Sequence, residues 1–171
     1  RVRGLAKALQ EAGFGVASWS QRRPAGPIQA AIDELGSVLR TIRSRLPSEP
    51  VVLIGHSRGG LVARHCAATA SDPGIAGLVT LGTPHLGSRL AEIAKLLTPA
   101  ASLLNRLLPE DLRGQTVEAL KRTAGFFTSP AIDELKPGTD FIGRLPAPPA
   151  HLPRLLLAGT DPHLFDLYFR A

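Results

Sequence analysis

The 171-residue sequence has no methionine, one cysteine, and no hydrophobic run near the roughly 18 residues that a membrane-spanning helix needs. The lone Cys66 excludes a disulfide within the chain, and its place in a helical pattern of apolar residues indicates a buried side chain rather than a nucleophile. No signal-peptide pattern opens the sequence. Because it begins at Arg1, the sequence looks processed or cut rather than translated from its own start.

Negative charge is the scarcer sign, with 14 Asp and Glu residues against 20 Lys and Arg residues and a net charge of +6. Such an excess can indicate an anionic partner. However, no aromatic residues interleave the densest basic clusters, Arg22-Arg23 and the group Arg40, Arg43 and Arg45. This pattern favours a solvated helix face over nucleic-acid binding, so we expect no nucleic-acid partner.

Apolar spacing predicts alternating helices and strands. A helix is expected to end at Gly13, and a four-three stripe from Ile28 to Leu46 predicts a second helix, with Pro27 in its first turn. A third helix is expected from Gly60, and strands are predicted at 14–19, 51–54, 75–81 and 155–158. The strand at 51–54 is apolar on both sides, which is typical of a central parallel strand. The pattern favours a mostly parallel sheet flanked by helices.

Residues 86 to about 130 interrupt this alternation. Short leucine-rich faces separated by Pro99 and Pro109 predict a helical insertion. The chain is therefore expected to form one domain, 1–171, with an insertion at about 86–130.

The stretch 51–60, VVLIGHSRGG, places Gly55-x-Ser57-x-Gly59 between an apolar strand and an amphipathic helix. A sharp strand-to-helix turn can hold one side chain clear of both elements, with glycines two residues before and after it. This context predicts a nucleophile elbow with Ser57 at the carboxyl end of the sheet. The backbone N–H of Arg58 would then face a reacting oxyanion.

Three stretches in this order resemble the α/β-hydrolase superfamily, and within it the bacterial lipases and esterases. They are GHSRGG at 55–60, LGTPHLGS at 81–88 and DELKPGTDF at 133–141. The resemblance implies an α/β-hydrolase fold with a lid at the insertion. It also implies a serine carboxylic ester hydrolase that acts through an acyl-enzyme on Ser57. An acyltransferase of the same fold and a non-catalytic binding domain are the alternatives.

A serine nucleophile needs a histidine base and a carboxylate that orients it. In the superfamily the acid follows a strand in the second half, which is where Asp161 stands, after 155–158. Asp161 is therefore predicted to be the catalytic acid, with Asp166 as its nearest substitute. The competing interpretation is a loop aspartate that shapes the turn at Asp161-Pro162.

None of the five histidines (His56, His65, His85, His151 and His163) has the position expected of the base, some tens of residues after the acid. His163 follows Asp161 too closely for the two side chains to meet readily. We therefore expect the base beyond Ala171. By family topology, the strand that carries the second oxyanion donor precedes the first helix, so we expect the chain to be a fragment of an incomplete fold.

The resemblance also implies the partners: a lipid or small ester substrate, and lipid-surface contact through a lid. The leucines of the insertion could equally pack on the sheet. No cofactor is expected. Some bacterial lipases hold a structural calcium, but no ligand set for one can be assigned here, and the sequence does not indicate the compartment or the oligomeric state.

Overall fold

A computed structural model describes residues 2–69, 74–88 and 129–158. Its helices and strands, in chain order, are α1 (Val2–Glu11), α2 (Ile28–Arg45), β1 (Val51–His56), α3 (Arg58–Thr69), β2 (Ile75–Leu81), α4 (Pro130–Asp133), α5 (Asp140–Gly143) and β3 (Arg154–Leu157). In the described part of the chain the three strands form one parallel sheet in the order β1-β2-β3. The expected parallel sheet with flanking helices is confirmed.

Helix α1 ends where the sequence predicts. Gly13 has a φ of 88°, its N–H donates to the Gln10 carbonyl, and the Phe14 N–H donates to the Leu9 carbonyl. This pair of bonds is a Schellman motif, which favours glycine because the residue adopts a left-handed conformation.

The strand predicted at 14–19 does not form, because the segment between α1 and α2 is irregular. Apolar composition alone does not make a strand. The backbone groups of a strand also need a neighbouring strand to bond with. In the described residues the sheet consists of β1, β2 and β3, and none of them pairs with residues 14–19. Pro27 also differs from expectation, since it precedes the first residue of α2 as the N-cap, with φ −55° and ψ 146°.

The sheet packs on the helices through one face. Leu53 and Leu78 are register partners, and both are buried. Helix α3 packs against β1 and β2, and α2 packs against α3. The other face is open in the described residues, where Ile54 is 41% exposed and Leu155 51% exposed. Burial of β1 on both faces, as expected of a central strand, is therefore not seen in this part of the chain.

The core lies between α2, α3 and the sheet. Helix α2 contributes its predicted four-three stripe, and α3 contributes its fully buried residues Leu61 and Val62. The principal residues of α2 in this core are Ile28, Ala31, Ile32, Leu35 and Leu39.

Arg43 fixes the far end of α2. Its Nη1 donates to the carbonyls of Leu46, Pro47 and Glu49, at 3.2, 2.9 and 2.9 Å. A Cβ on Gly74 would lie 1.6 Å from Arg43 Nη2, so the chain entering β2 passes directly over the guanidinium. These bonds satisfy carbonyls just beyond the helix end and define the entrance to β1.

Among the described residues, no helix combines the length and apolar character needed to cross a membrane. The predicted insertion at 86–130 falls almost entirely on 89–128, outside the described residues.

Candidate active site

The turn between β1 and α3 holds Ser57 in a left-handed conformation. Its φ of 53° makes it the one non-glycine residue with positive φ in the described part of the chain. The Ser57 N–H donates to the Leu81 carbonyl at 2.9 Å, and the Ser57 carbonyl accepts from the Gly60 N–H at 3.0 Å. Such a conformation costs a non-glycine residue about 1–2 kcal/mol, so surrounding contacts must hold it. A left-handed residue between a strand and a helix is what the elbow prediction requires, and the catalytic role of Ser57 stays a prediction.

The glycines that this turn requires are Gly55 and Gly60. A Cβ on Gly55 would lie 2.5 Å from the Gly60 Cα and 2.7 Å from the Gly59 carbonyl oxygen. A Cβ on Gly60 would lie 1.9 Å from Thr83 Oγ1, whereas a Cβ on Gly59 would meet no atom of the described residues within 4 Å. Within the described part of the chain, the prediction that Gly59 is needed for space is wrong, because no atom there lies near the position of its Cβ. The residue that close packing restricts to glycine is instead Gly60, because Thr83 lies against it.

Arg58, the first residue of α3, buries its side chain beside the elbow and is 8% exposed. Its guanidinium donates to the Gln21 side chain and to the carbonyls of Pro24 and Gly26, at 3.1 and 2.6 Å for the carbonyls. Its Nη2 also lies 3.6 Å from Glu134 Oε2. Burial lowers the pKa of Arg58, and the nearby Glu134 carboxylate opposes that shift.

The backbone N–H of Arg58 stands at the start of a helix, where the first N–H groups have no partner within the helix. A 12-residue helix also contributes positive potential at this end. The Arg58 N–H therefore lies at the amino end of α3, directly after Ser57, and its role as an oxyanion donor stays a prediction.

His85 is held by both ring nitrogens. Nδ1 lies 3.3 Å from Arg64 Nη1, and Nε2 lies 3.0 Å from Thr80 Oγ1. Since arginine can only donate, Nδ1 must accept, and Nε2 must carry the proton that it donates to Thr80. Burial and the Arg64 charge both lower the pKa of His85. Both ring nitrogens of His85 therefore have partners within the described residues, which fits its interpretation as part of a turn.

The loop 83–88 contacts the segment that follows the insertion. The Ser88 N–H donates to the Leu135 carbonyl at 2.7 Å, and a Cβ on Gly87 would lie 2.7 Å from the Pro137 nitrogen. Two of the three sequence landmarks are therefore joined directly. The third landmark, 55–60, contacts both of the others. Gly60 packs against Thr83, and Arg58 forms an ion pair with Glu134.

The remaining described histidines lie elsewhere. His65 is half-buried on α3, its Nδ1 lies 3.3 Å from Thr69 Oγ1, and its ring stacks on Phe141 at 6.5 Å. His56 and His151 are exposed. Within the described residues, the Ser57 hydroxyl makes no hydrogen bond with any of them. Asp161, Asp166 and His163 lie outside the described residues, so their predicted roles stay predictions.

Cys66 is buried, as predicted. It is 4% exposed, its Sγ lies 3.8 Å from the Ile32 carbonyl oxygen, and burial raises its pKa to about 11. The thiol therefore stays protonated near neutral pH and is not a nucleophile. The described ranges contain no group of three or more histidine, cysteine or acidic residues that could hold a metal ion.

Sequence reasoning missed three contributors to the site: Glu134, Gln21 and Thr83. Glu134 lies 76 positions after Arg58. Apolar periodicity reports on neighbours within one helix or strand, so it cannot predict a contact between residues this far apart. Its position inside the third landmark, DELKPGTDF, was the available indication that it packs near the elbow.

A family model for the alpha/beta hydrolase fold matches residues 3–108, which include the elbow. The chain belongs to this family. Over 63 residues it is 36% identical to a triacylglycerol lipase of Pseudarthrobacter phenanthrenivorans, covering 37% of this chain and 19% of that lipase. It is also 36% identical over 63 residues to a triacylglycerol lipase of Burkholderia plantarii, covering 37% of this chain and 17% of that protein.

A longer match joins the chain to a triacylglycerol lipase of Pseudomonas fragi, with 34% identity over 93 residues, 54% of this chain and 31% of that lipase. The chain thus spans between 17% and 31% of the length of these relatives. The likeness to lipases suggested by the three landmarks is confirmed at the level of the family.

Proposed function

We propose that the chain carries the nucleophile of a serine carboxylic ester hydrolase of the lipase and esterase type. The observation that carries the proposal is the left-handed Ser57 at the junction of a parallel strand and a helix N-terminus. The strain of this conformation has no structural use that a glycine would not serve better. It does, however, hold the hydroxyl at the carboxyl end of the sheet, where α/β folds bind their ligands.

In the proposed reaction, Ser57 Oγ attacks the ester carbonyl while a histidine base takes the hydroxyl proton. The tetrahedral oxyanion accepts a hydrogen bond from the Arg58 N–H at the start of α3. When the intermediate collapses, the alkoxide leaves with the proton from the histidine, and Ser57 holds the acyl group. Water, deprotonated by the same histidine, then releases the acid and restores Ser57.

The base in this mechanism is a histidine outside the described residues. His85 cannot serve, because Arg64 occupies one of its nitrogens and Thr80 the other. We propose Asp161, four positions after the last residue of β3 in the sequence, as the carboxylate that orients the base. The support for this proposal is that β1 and β3 are parallel, so their carboxyl ends lie at the same edge of the sheet, two strands apart.

The substrate class that we propose is supported by the names of the relatives, which are triacylglycerol lipases. We propose ester lipids or smaller carboxylic esters, without a cofactor, since the serine, histidine and carboxylate chemistry is complete by itself.

Labelling with a fluorophosphonate tests the proposal. The natural full-length protein is incubated with the probe, and the mass added to it is measured by intact mass spectrometry. One adduct per molecule, absent in Ser57→Ala, is the expected result. An Asp161→Asn variant should label far more slowly. Failure of the wild-type protein to label, or undiminished labelling of Ser57→Ala, would refute Ser57 as an activated nucleophile.

A further inference from the structure

One carboxylate compensates the buried cation beside the nucleophile. Arg58 is 9% exposed as a side chain, and its ion-pair partner Glu134 is 28% exposed. Two surface pairs of the described residues differ from this pair: Lys7 and Glu11 are 78% and 66% exposed, and Arg144 and Asp140 are 82% and 90% exposed. In the Arg58–Glu134 pair, by contrast, one of the two charges is largely removed from water.

Glu134 also contacts the start of α2. Its Oε2 accepts the Ile28 N–H at 2.7 Å, while the same oxygen lies 3.6 Å from Arg58 Nη2. The carbonyl of the next residue, Leu135, accepts the Ser88 N–H. Residues 134 and 135 therefore bridge three pieces of chain: the first turn of α3, the first turn of α2 and the loop 83–88.

We propose that Glu134 is a positioning residue for the oxyanion donor, holding the Arg58 guanidinium and, through it, the direction of the Arg58 N–H. This inference rests on the proposed hydrolase function. Its basis is that Arg58 has both features: its backbone N–H is the proposed oxyanion donor, and its side-chain charge is neutralised by Glu134.

The carbonyls of Pro24 and Gly26 accept hydrogen bonds from Arg58, but they do not neutralise its charge. Without Glu134, a guanidinium in this position would be a buried cation without a counter-charge, and movement toward water would relieve it. Such movement displaces the first turn of α3, which is also the turn that must keep Ser57 in its left-handed conformation. A displaced donor then stabilises the oxyanion less well.

The test compares Glu134→Gln with Asp140→Asn in the natural full-length protein. The glutamine keeps an oxygen that can accept from the Ile28 N–H, so the substitution removes mainly the charge. The control makes the same chemical change at an exposed pair of the same segment. We expect Glu134→Gln to lower both the fluorophosphonate labelling rate and kcat for a soluble ester roughly tenfold, part of the 10²–10³ that loss of a whole oxyanion donor costs. The KM should change less than twofold, and Asp140→Asn should match wild type.

A double-substitution cycle decides whether Glu134 acts through Arg58. In an Arg58→Gln background, Glu134→Gln should produce no further loss, because no cation remains to be held. An equal tenfold loss in that background would overturn the proposal, and so would a Glu134→Gln rate equal to that of the Asp140→Asn control.

Amide hydrogen exchange gives a readout that does not depend on catalysis. The Gly60 N–H, bonded to the Ser57 carbonyl, should exchange faster in Glu134→Gln than in Asp140→Asn. Unchanged exchange at Gly60 would contradict the proposed coupling. A wild-type protein that does not label would refute the hydrolase function and the positioning role together, whereas normal wild-type labelling with an unaffected Glu134→Gln would refute the positioning role alone.

Discussion

Replacing Gly60 by alanine should destabilise the protein, whereas the same change at Gly59 should not. The new methyl group at position 60 would lie 1.9 Å from Thr83 Oγ1 and 2.9 Å from Thr83 Cβ. Rotation of the threonine can move its hydroxyl but cannot move Cβ, so the backbone must shift. Overpacking of this kind costs about 1–3 kcal/mol.

Both glycines lie in the first turn of α3, so each substitution gains a similar helix-propensity term of up to about 1 kcal/mol. This term cancels in the comparison. The free energy of unfolding of Gly60→Ala should therefore fall below that of Gly59→Ala by the packing cost alone, about 1–3 kcal/mol.

Urea denaturation followed by far-UV circular dichroism measures this difference. The double variant Gly60→Ala/Thr83→Ala should recover part of the loss, because it removes the threonine Oγ1 and Cγ2 but leaves Cβ. If Gly60→Ala proved as stable as Gly59→Ala, the close approach of the loop 83–88 to α3 would be refuted, and with it the assignment of the second required glycine to position 60.

Three further predictions concern the same end of the sheet. Gly55→Ala should cost more stability than Gly60→Ala in the same urea experiment, because its methyl group would meet backbone atoms at 2.5–2.7 Å that cannot rotate away. Ser57→Gly should be about 1 kcal/mol more stable than Ser57→Ala, since alanine keeps the left-handed strain; equal stabilities would contradict the strain. Because the pKa of His85 is lowered on folding, the unfolded chain binds more protons, so stability should fall as the pH drops below about 6.5. His85→Gln should show a shallower fall in its urea midpoint between about pH 7 and 5, and an identical pH profile would refute the prediction.

Local signals predicted most of the fold. The four-three apolar stripe identified α2, because a helix with one buried face must repeat at that interval. The strand predicted at 75–81 is β2, residue for residue. These elements are visible in the sequence because each is defined by its own pattern of burial.

Elements that depend on a distant partner were not predictable in the same way. The segment 14–19 has the composition of a strand, but composition does not state which strand lies beside it. The motif predicted a strained turn at Ser57, where φ is 53°, yet it misassigned the second crowded glycine, since the crowding at Gly60 comes from Thr83, 23 positions later. Glu134 was missed for the same reason, because only the folded chain brings it to Arg58.

Arg43 donates hydrogen bonds to the carbonyls of Leu46, Pro47 and Glu49, and we call this set of bonds the Arg43 lock. The lock lies near the amino end of β1, whereas Ser57 follows the carboxyl end of β1. A six-residue strand separates the two by about 20 Å. Substitutions so far apart usually combine additively. Changes around the Arg43 lock can therefore raise or lower stability without altering the turn that presents Ser57. In evolution or in the laboratory, stabilising changes at the one end could offset the cost of altering substrate preference at the other.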